Sequence, residues 1–252
     1  MNLPRPSRGG ALRAALVALL LALVLRPDWF APVLAPLAPA GGPVIYERVS
    51  LLSLSLSHLG LVVLAAGAAT LVAVALAVLV TRPSGAPFRP LSRTITNLGQ
   101  TFPPVAVLAL AVPALGFGAG PTLVALFLYG LLPIFENAVT GLTTLPPATI
   151  EAARGIGLNR WQRLLRVELP LALPVMLTGI RLSVVIALGT ATIGSTVAAR
   201  TLGEVIIAGL LTNNTAYVVQ GGLIVGLFAV LIHDGLVQLE QRLARRMGRV
   251  GR

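Results

Sequence analysis

Residues 151–170 read EAARGIGLNRWQRLLRVELP and place four arginines and two glutamates inside a chain that is 56% hydrophobic and 11% charged. Soluble domains carry roughly a quarter charged residues, so the surroundings of this stretch are those of an integral membrane protein, with mean hydropathy +0.90. The stretch itself is too polar to cross a bilayer. Pro146 and Pro147 suit the first turn of a helix that Ala148 to Arg154 can propagate, and Gly155 and Gly157 end it. Asn159, followed three residues later by Gln162, is a capping-box-like start for a second helix, which Pro170 is expected to stop. Two short helices therefore meet at a glycine corner. Ala153, Ile156, Trp161, Leu164 and Leu165 recur along them at three- and four-residue spacing, while Glu151, Arg154, Arg163 and Arg166 fall largely elsewhere. On periodicity, this pattern fits a helix lying on anionic headgroups with Trp161 at the boundary as well as a docking element for a soluble partner.

Working outward, the stretch is flanked by apolar runs. Crossing the hydrocarbon core takes about 20 residues at ~1.5 Å each, and six runs qualify: 11–25, 59–80, 102–118, 121–141, 171–198 and 216–237. Pro103, Pro104 and Pro113 interrupt the third, which is expected to kink. The first follows a basic start and precedes Ala-Pro-Ala at 38–40, so a retained helix and a cleavable signal peptide both fit. The arginines before it favour a retained anchor. With both termini inside, 15 arginines face the cytoplasm: Arg5, Arg8, Arg13, Arg82, Arg89, Arg93, Arg154, Arg160, Arg163, Arg166, Arg242, Arg245, Arg246, Arg249 and Arg252. Arg26, Arg48 and Arg200 fall outside and Arg181 lies in a span. The positive-inside rule thus puts 151–170 in the cytoplasm.

Composition removes several function classes. All 19 basic residues are arginine, so there is no lysine for a Walker A loop, and the chain is not itself the ATPase of any machine it serves. Having no cysteine excludes thiolate zinc sites, redox pairs and disulfides, and two histidines leave little for a metal cluster. No convergent set of nucleophile, base and acid is spaced as a membrane enzyme needs. A secondary transporter would show inverted repeats or several buried acids, and neither is visible.

The spacing Glu151-Ala152-Ala153, three residues, Gly157, nine residues, Val167-x-Leu169-Pro170 resembles the EAA loop of membrane subunits of bacterial ABC importers, with Val167 where isoleucine is usual. TRPSGAPFRPL (81–91), GQTFPPVAVLALAVP (99–113), LYGLLPIFENAVTGL (128–142) and GTATIGSTVAARTLG (189–203) further resemble permeases of glycine betaine/choline/proline importers. The branch with an extra N-terminal helix is the most similar. The resemblance implies an all-α membrane protein: a MetI-like permease core of five transmembrane helices plus one N-terminal helix. It divides the chain into 1–57 (N-terminal helix and extracytoplasmic segment), 58–240 (permease domain, with the EAA loop at 145–170) and 241–252 (basic cytoplasmic tail). It also implies an osmoprotectant-transport subunit rather than an enzyme, in the bacterial inner membrane. The partners would be a cytoplasmic ATPase dimer, which would hold the ATP and magnesium, a second and related permease, and an extracytoplasmic binding protein. No cofactor is expected in this chain. Another small polar solute, such as an amino acid, is the rival cargo. The loop would be the ATPase-coupling element, carried by Glu151, Ala152, Ala153, Gly157, Val167, Leu169 and Pro170.

Several residues in the spans invite assignment. Thr190, Thr192, Ser195 and Thr196, with Gly189 and Gly194, give the fifth span a small polar face that suits either pore lining or helix packing. Glu136 and Arg181 fall at similar computed depths in adjacent spans, which makes them a candidate intramembrane pair. Trp29 and Trp161 sit near expected interfaces, and the chain is only 5% aromatic, so an aromatic cage for a quaternary ammonium is expected in the binding protein instead. His58 and His233 are read as structural, and residues 201–210 as a short extracellular gate segment by family analogy.

Overall fold

The structure is a computed structural model and describes residues 8–246. Arg5, Arg249 and Arg252, the side chains of Arg8 and Arg246, and the last six residues of the basic tail lie outside the described residues. Every element described is helical. In order they are α1 (Arg8–Leu25), α2 (Ala31–Leu34), α3 (Leu51–Val80), α4 (Arg89–Thr101), α5 (Pro104–Leu115), α6 (Ala119–Thr143), α7 (Pro147–Gly155), α8 (Arg160–Arg163), α9 (Leu169–Thr190), α10 (Gly203–Leu211) and α11 (Thr215–Arg246), with short 3-10 turns between some of them. Among the described residues four helical stretches are long and apolar enough to cross a membrane, and six if each of two sharply bent pairs is one span. The protein is therefore a multi-pass membrane protein of the expected class.

α6 is the centre of the bundle. Ala69, Ala73 and Ala77 of α3, all fully buried, present methyl groups every fourth residue to Leu131, Ile134, Phe135 and Ala138 of α6. Lipid tails are as apolar as leucine, so close packing of small residues is what favours helix contact in a bilayer. On the other flank, α9 approaches so closely that a Cβ on Gly179 would lie 2.4 Å from the Pro133 carbonyl oxygen. α1 packs through Leu20, Leu23 and Val24 into a second core with Leu51 and Leu54 of α3 and Ile224 and Leu227 of α11. Arg13 of α1 also pairs with Asp234 of α11 at 2.6 Å.

Three boundaries differ from the sequence reading. The second span starts at Leu51, so the division at 57/58 falls inside α3. The third apolar run falls on a bent pair: α4 and α5 meet at 96°. Phe102 and Pro103 are both extended, with ψ of 140° and 141°, because a residue before proline is driven out of the helical region. α5 alone reaches only about 18 Å, and α4, which the sequence reading places in the cytoplasm, runs almost perpendicular to it, the geometry of a broken span or a re-entrant segment. Finally, Pro170 does not stop a helix. Residues Leu164–Glu168 form a π-turn in which the Leu169 N–H donates to the Leu164 carbonyl. The widened turn makes room for the proline ring near the start of α9, so one continuous rod runs from Arg160 to Val197.

Candidate functional site

The polar loop between α6 and α9 folds as local chemistry dictates. α7 begins at Pro147, whose missing N–H is one a helix start would leave unpaired anyway. It ends at Gly155, and Gly157 then takes φ +83°, a conformation that costs side-chain-bearing residues about 1 kcal/mol. The Gly157 N–H donates to the Arg154 carbonyl at 2.9 Å and the Leu158 N–H to that of Ala153 at 3.1 Å. The capping box is complete: the Gln162 N–H donates to Asn159 Oδ1 at 2.9 Å, and the Asn159 N–H to Gln162 Oε1 at 3.0 Å.

The structure splits the expected apolar stripe. Ala153 and Leu164 are buried, whereas Ile156, Trp161 and Leu165 are 77%, 72% and 61% exposed. Glu151, Ala152 and Gly157 share the exposed surface. Val167, Leu169 and Pro170 are half-buried, and Leu169 packs against the α3/α6 core. The loop thus presents an outward face of small and apolar groups with Glu151 and the exposed Arg154, Arg160 and Arg166, on a framed inner side.

Glu168 fixes that inner side, and the sequence reading passed over it because it occupies the unspecified position of the pattern. It is 5% exposed. Its Oε2 lies 2.5 Å from Arg82 Nη2, just past the end of α3, and its Oε1 lies 2.8 Å from Arg163 Nε in the loop. Arg82 Nε also donates to the Val78 carbonyl at 3.3 Å, so one guanidinium ties the terminus of α3 to the root of the loop. An acid in a stretch holding four arginines was the available signal; its partner 86 positions away was not. Beside this clamp lies a cavity of about 700 Å³ lined by Thr81, Arg82, Arg154, Arg160, Trp161 and Arg163, among others.

The remaining sequence candidates are placed as follows. Glu136 and Arg181 do not pair. Glu136 is 2.6 Å from Arg93 of α4, and Arg181 is 3.5 Å from Glu240 of α11. Rise per residue gave their depths, but the side of each helix they occupy directs them to different neighbours. Thr190 ends α9, and Thr192, Ser195 and Thr196 lie on the 3-10 turn Ala191–Val197, closed by left-handed Ala198 at φ 62°. Thr192 donates to the Gly189 carbonyl and Thr196 to that of Ile193, both at 2.7 Å, while Ser195 Oγ is 2.7 Å from Thr201 Oγ1. These hydroxyls brace the turn, and Thr196 is exposed. The segment expected at 201–210 is the short helix α10, to which Tyr46 donates a 2.6 Å hydrogen bond at Glu204. Burial first, and then that bond, push the Tyr46 phenol above its ordinary range. His58 is fully buried with Nε2 3.1 Å from the Leu188 carbonyl. Trp29 is 71% exposed.

Known proteins share this architecture. Residues 69–246 match the family described as binding-protein-dependent transport system inner membrane component. The osmoprotectant import permease protein OsmY of Salmonella typhimurium is 42% identical over 198 residues, which cover 79% of this chain and 84% of that one. The glycine betaine/carnitine/choline transport system permease protein OpuCB of Bacillus subtilis is 34% identical, covering 69% of this chain and 82% of that one. Among solved structures, an inward-facing MetNI methionine ABC transporter chain superposes with a TM-score of 0.65 at 22% identity, over 74% of this chain and 93% of that chain. That likeness extends the agreement to the fold. The matched region contains α6, the capped and clamped loop and α9, and on these grounds the chain belongs to the binding-protein-dependent transport system inner membrane component family.

Proposed function

We propose that this chain is the membrane-spanning permease subunit of an ABC importer for osmoprotectants such as glycine betaine, choline, carnitine or proline, and that the 145–170 loop couples it to a separate ATPase. The observation that carries the reading is the loop: an exposed Glu151-Ala152, Ile156 and Trp161 surface held by a capping box, a left-handed Gly157 and the Glu168 clamp. Small residues let a partner backbone approach closely, and exposed aromatic and aliphatic groups supply the area to bury. Similarity at 42% identity to an osmoprotectant import permease supports the cargo class.

In this reading the loop faces the cytoplasm, as the arginine distribution favours, and an ATPase dimer closing on ATP displaces it. The continuous helix from Arg160 to Val197 carries that displacement into α9, and the Arg82–Glu168 pair carries it into α3. The division of labour follows the helices and not the 57/58 boundary: the segment before α3 anchors, the bundle from Leu51 onward transports, and the basic residues from 241 favour the cytoplasmic face. Solute arrives on an extracytoplasmic binding protein. Two different Salmonella typhimurium permeases, OsmY and OsmW, match this chain at 42% and 38% identity, which supports a second, related permease as the membrane partner.

The test is uptake of labelled glycine betaine into proteoliposomes holding the chain with its partner permease, ATPase and binding protein, comparing wild type with Gly157→Asp. A Cβ at Gly157 meets nothing within 4 Å, so the substitution brings no Cβ clash and acts through φ strain and the added carboxylate on the exposed face. The expected result is ATP-dependent uptake that Gly157→Asp abolishes while the ATPase still turns over. A wild-type complex whose ATPase responds to loaded binding protein but which takes up no betaine refutes the cargo.

A further inference from the structure

α4 carries three stripes. Ser92, Thr96 and Gly99 are buried, and Gly99 is so close to α6 that a Cβ there would lie 2.3 Å from the Leu128 carbonyl oxygen. Leu91, Ile95 and Leu98 are exposed and apolar, a surface suited to acyl chains. Arg93, Thr94, Asn97, Gln100 and Thr101 are exposed and polar. Thr94, Thr101 and Gln100 donate to the Pro90, Asn97 and Tyr129 carbonyls, but the charged Arg93 on the same stripe does not face hydrocarbon, so that part of α4 borders water or a polar surface.

The row opens on a cavity of about 360 Å³ lined by Arg93, Thr94, Asn97, Leu132 and Glu136. Glu136 sits seven residues before the end of α6 at Thr143, or about 10 Å inward from the end that carries the coupling loop. Its carboxylate is 2.6 Å from Arg93 Nε, and the two side chains remain 34% and 69% exposed. The cavity is thus walled by one anion, one cation, a hydroxyl and an amide, within the size range of small-molecule sites, about 300–1,000 Å³.

The geometry points to a solute station at this pair, selective for small zwitterions over simple cations; the assignment rests on the osmoprotectant reading above. A zwitterion entering between the two side chains replaces one ion pair by two. Its carboxylate accepts from Arg93, with Asn97 as a further donor, and its quaternary ammonium faces Glu136. No charge is stranded. A simple cation such as choline competes with Arg93 for Glu136 and offers the guanidinium no acceptor in return, so it exchanges one ion pair for one, while the 69% exposed Arg93 turns to water. The station is shallow and open, consistent with a path that passes solute on.

The experiment is equilibrium binding of labelled glycine betaine and labelled choline, at millimolar concentration, to the intact permease–ATPase complex without binding protein. The wild-type complex is expected to retain betaine over choline by about tenfold, the scale of one well-placed charge contact. Arg93→Gln is expected to invert that order, because Glu136 then faces a cation with no competing guanidinium, and Arg93→Lys to keep it. Co-elution of all subunits in size-exclusion chromatography verifies assembly, and Glu136→Gln, which should lose both solutes, serves as the second variant. Equal binding of both solutes, or an order unchanged by Arg93→Gln, overturns the station and leaves Arg93–Glu136 as a structural or subunit-interface pair. Absence of binding alongside intact uptake also overturns it without touching the importer reading. Absence of wild-type betaine uptake refutes that reading itself.

Discussion

Glu168→Gln should release the 145–170 loop from the bundle. The carboxylate is 5% exposed and receives two guanidiniums at 2.5 and 2.8 Å. Hydrogen bonds to charged groups contribute about 1.5–3 kcal/mol each, and removing one partner of a buried ion pair costs about 3–5 kcal/mol. The Arg82 side chain is 28% exposed and can turn to water, whereas that of Arg163 is 13% exposed and cannot do so as freely. The expected loss is therefore about 3 kcal/mol, towards the lower end of that range, equivalent to roughly a hundredfold rise in the population with the loop detached. Glutamine preserves the shape and its amide oxygen still accepts from one guanidinium, while its NH2 faces the other, which is why the lower end of the range applies. Arg154, Arg160 and Arg166 make the loop a trypsin substrate when it opens, and cleavage of a rarely opened segment follows the open population. Limited proteolysis of the detergent-solubilised complex should show cleavage within 151–170 accelerating by about two orders of magnitude, with solute carried per ATP falling in proteoliposomes. Loop cleavage within about twofold of wild type would refute the clamp. An Arg82→Gln/Glu168→Gln cycle with additive effects would remove Arg82 from it.

Two further outcomes follow from packing and hydrogen bonding elsewhere. Gly179→Ala should destabilise the α6/α9 contact by about 1–3 kcal/mol, since the added methyl meets a backbone carbonyl that cannot step aside; thermal unfolding in detergent should show a lowered midpoint, whereas Gly60→Ala, whose Cβ meets nothing within 4 Å, should not. Tyr46→Phe removes the 2.6 Å donor to Glu204 and is expected to cost about 1–2 kcal/mol; hydrogen exchange should rise in α10 and in residues 43–50 while α6 is unchanged, and uniform protection would show the contact to be dispensable.

Much of the architecture was legible because it depends on neighbours in sequence. The apolar runs are set by the thickness of hydrocarbon to be crossed, and they reappear as α3, α6, α9 and α11 with shifts at their ends. The capping box of Asn159 and Gln162 and the corner at Gly157 close through contacts within a few residues, so residue type and spacing sufficed. The bend before α5 was legible for the same reason, since Pro103 and Pro104 constrain the backbone wherever they stand. Pro170 was misread because a π-turn five residues long can absorb a proline, and nothing in local propensity requires that turn. The exposed side of the loop could be drawn only as an amphipathic stripe. Which of Ala153, Leu164, Ile156 and Trp161 turn inward depends on where α3 and α6 end.

The sequence by itself determined that this is a multi-span helical membrane protein with a capped, glycine-cornered polar loop, because hydropathy, proline, glycine and capping chemistry act over one or two helical turns. Only the tertiary structure decided who pairs with whom. Arg82 reaches Glu168, Arg93 reaches Glu136 and Arg181 reaches Glu240 because three helix rotations and one folded loop bring them together. Helical rise fixes a residue's depth in the membrane, while its azimuth and its neighbours are set by how small-residue faces such as Ala69, Ala73 and Ala77 pack, and that packing is settled by the whole bundle at once.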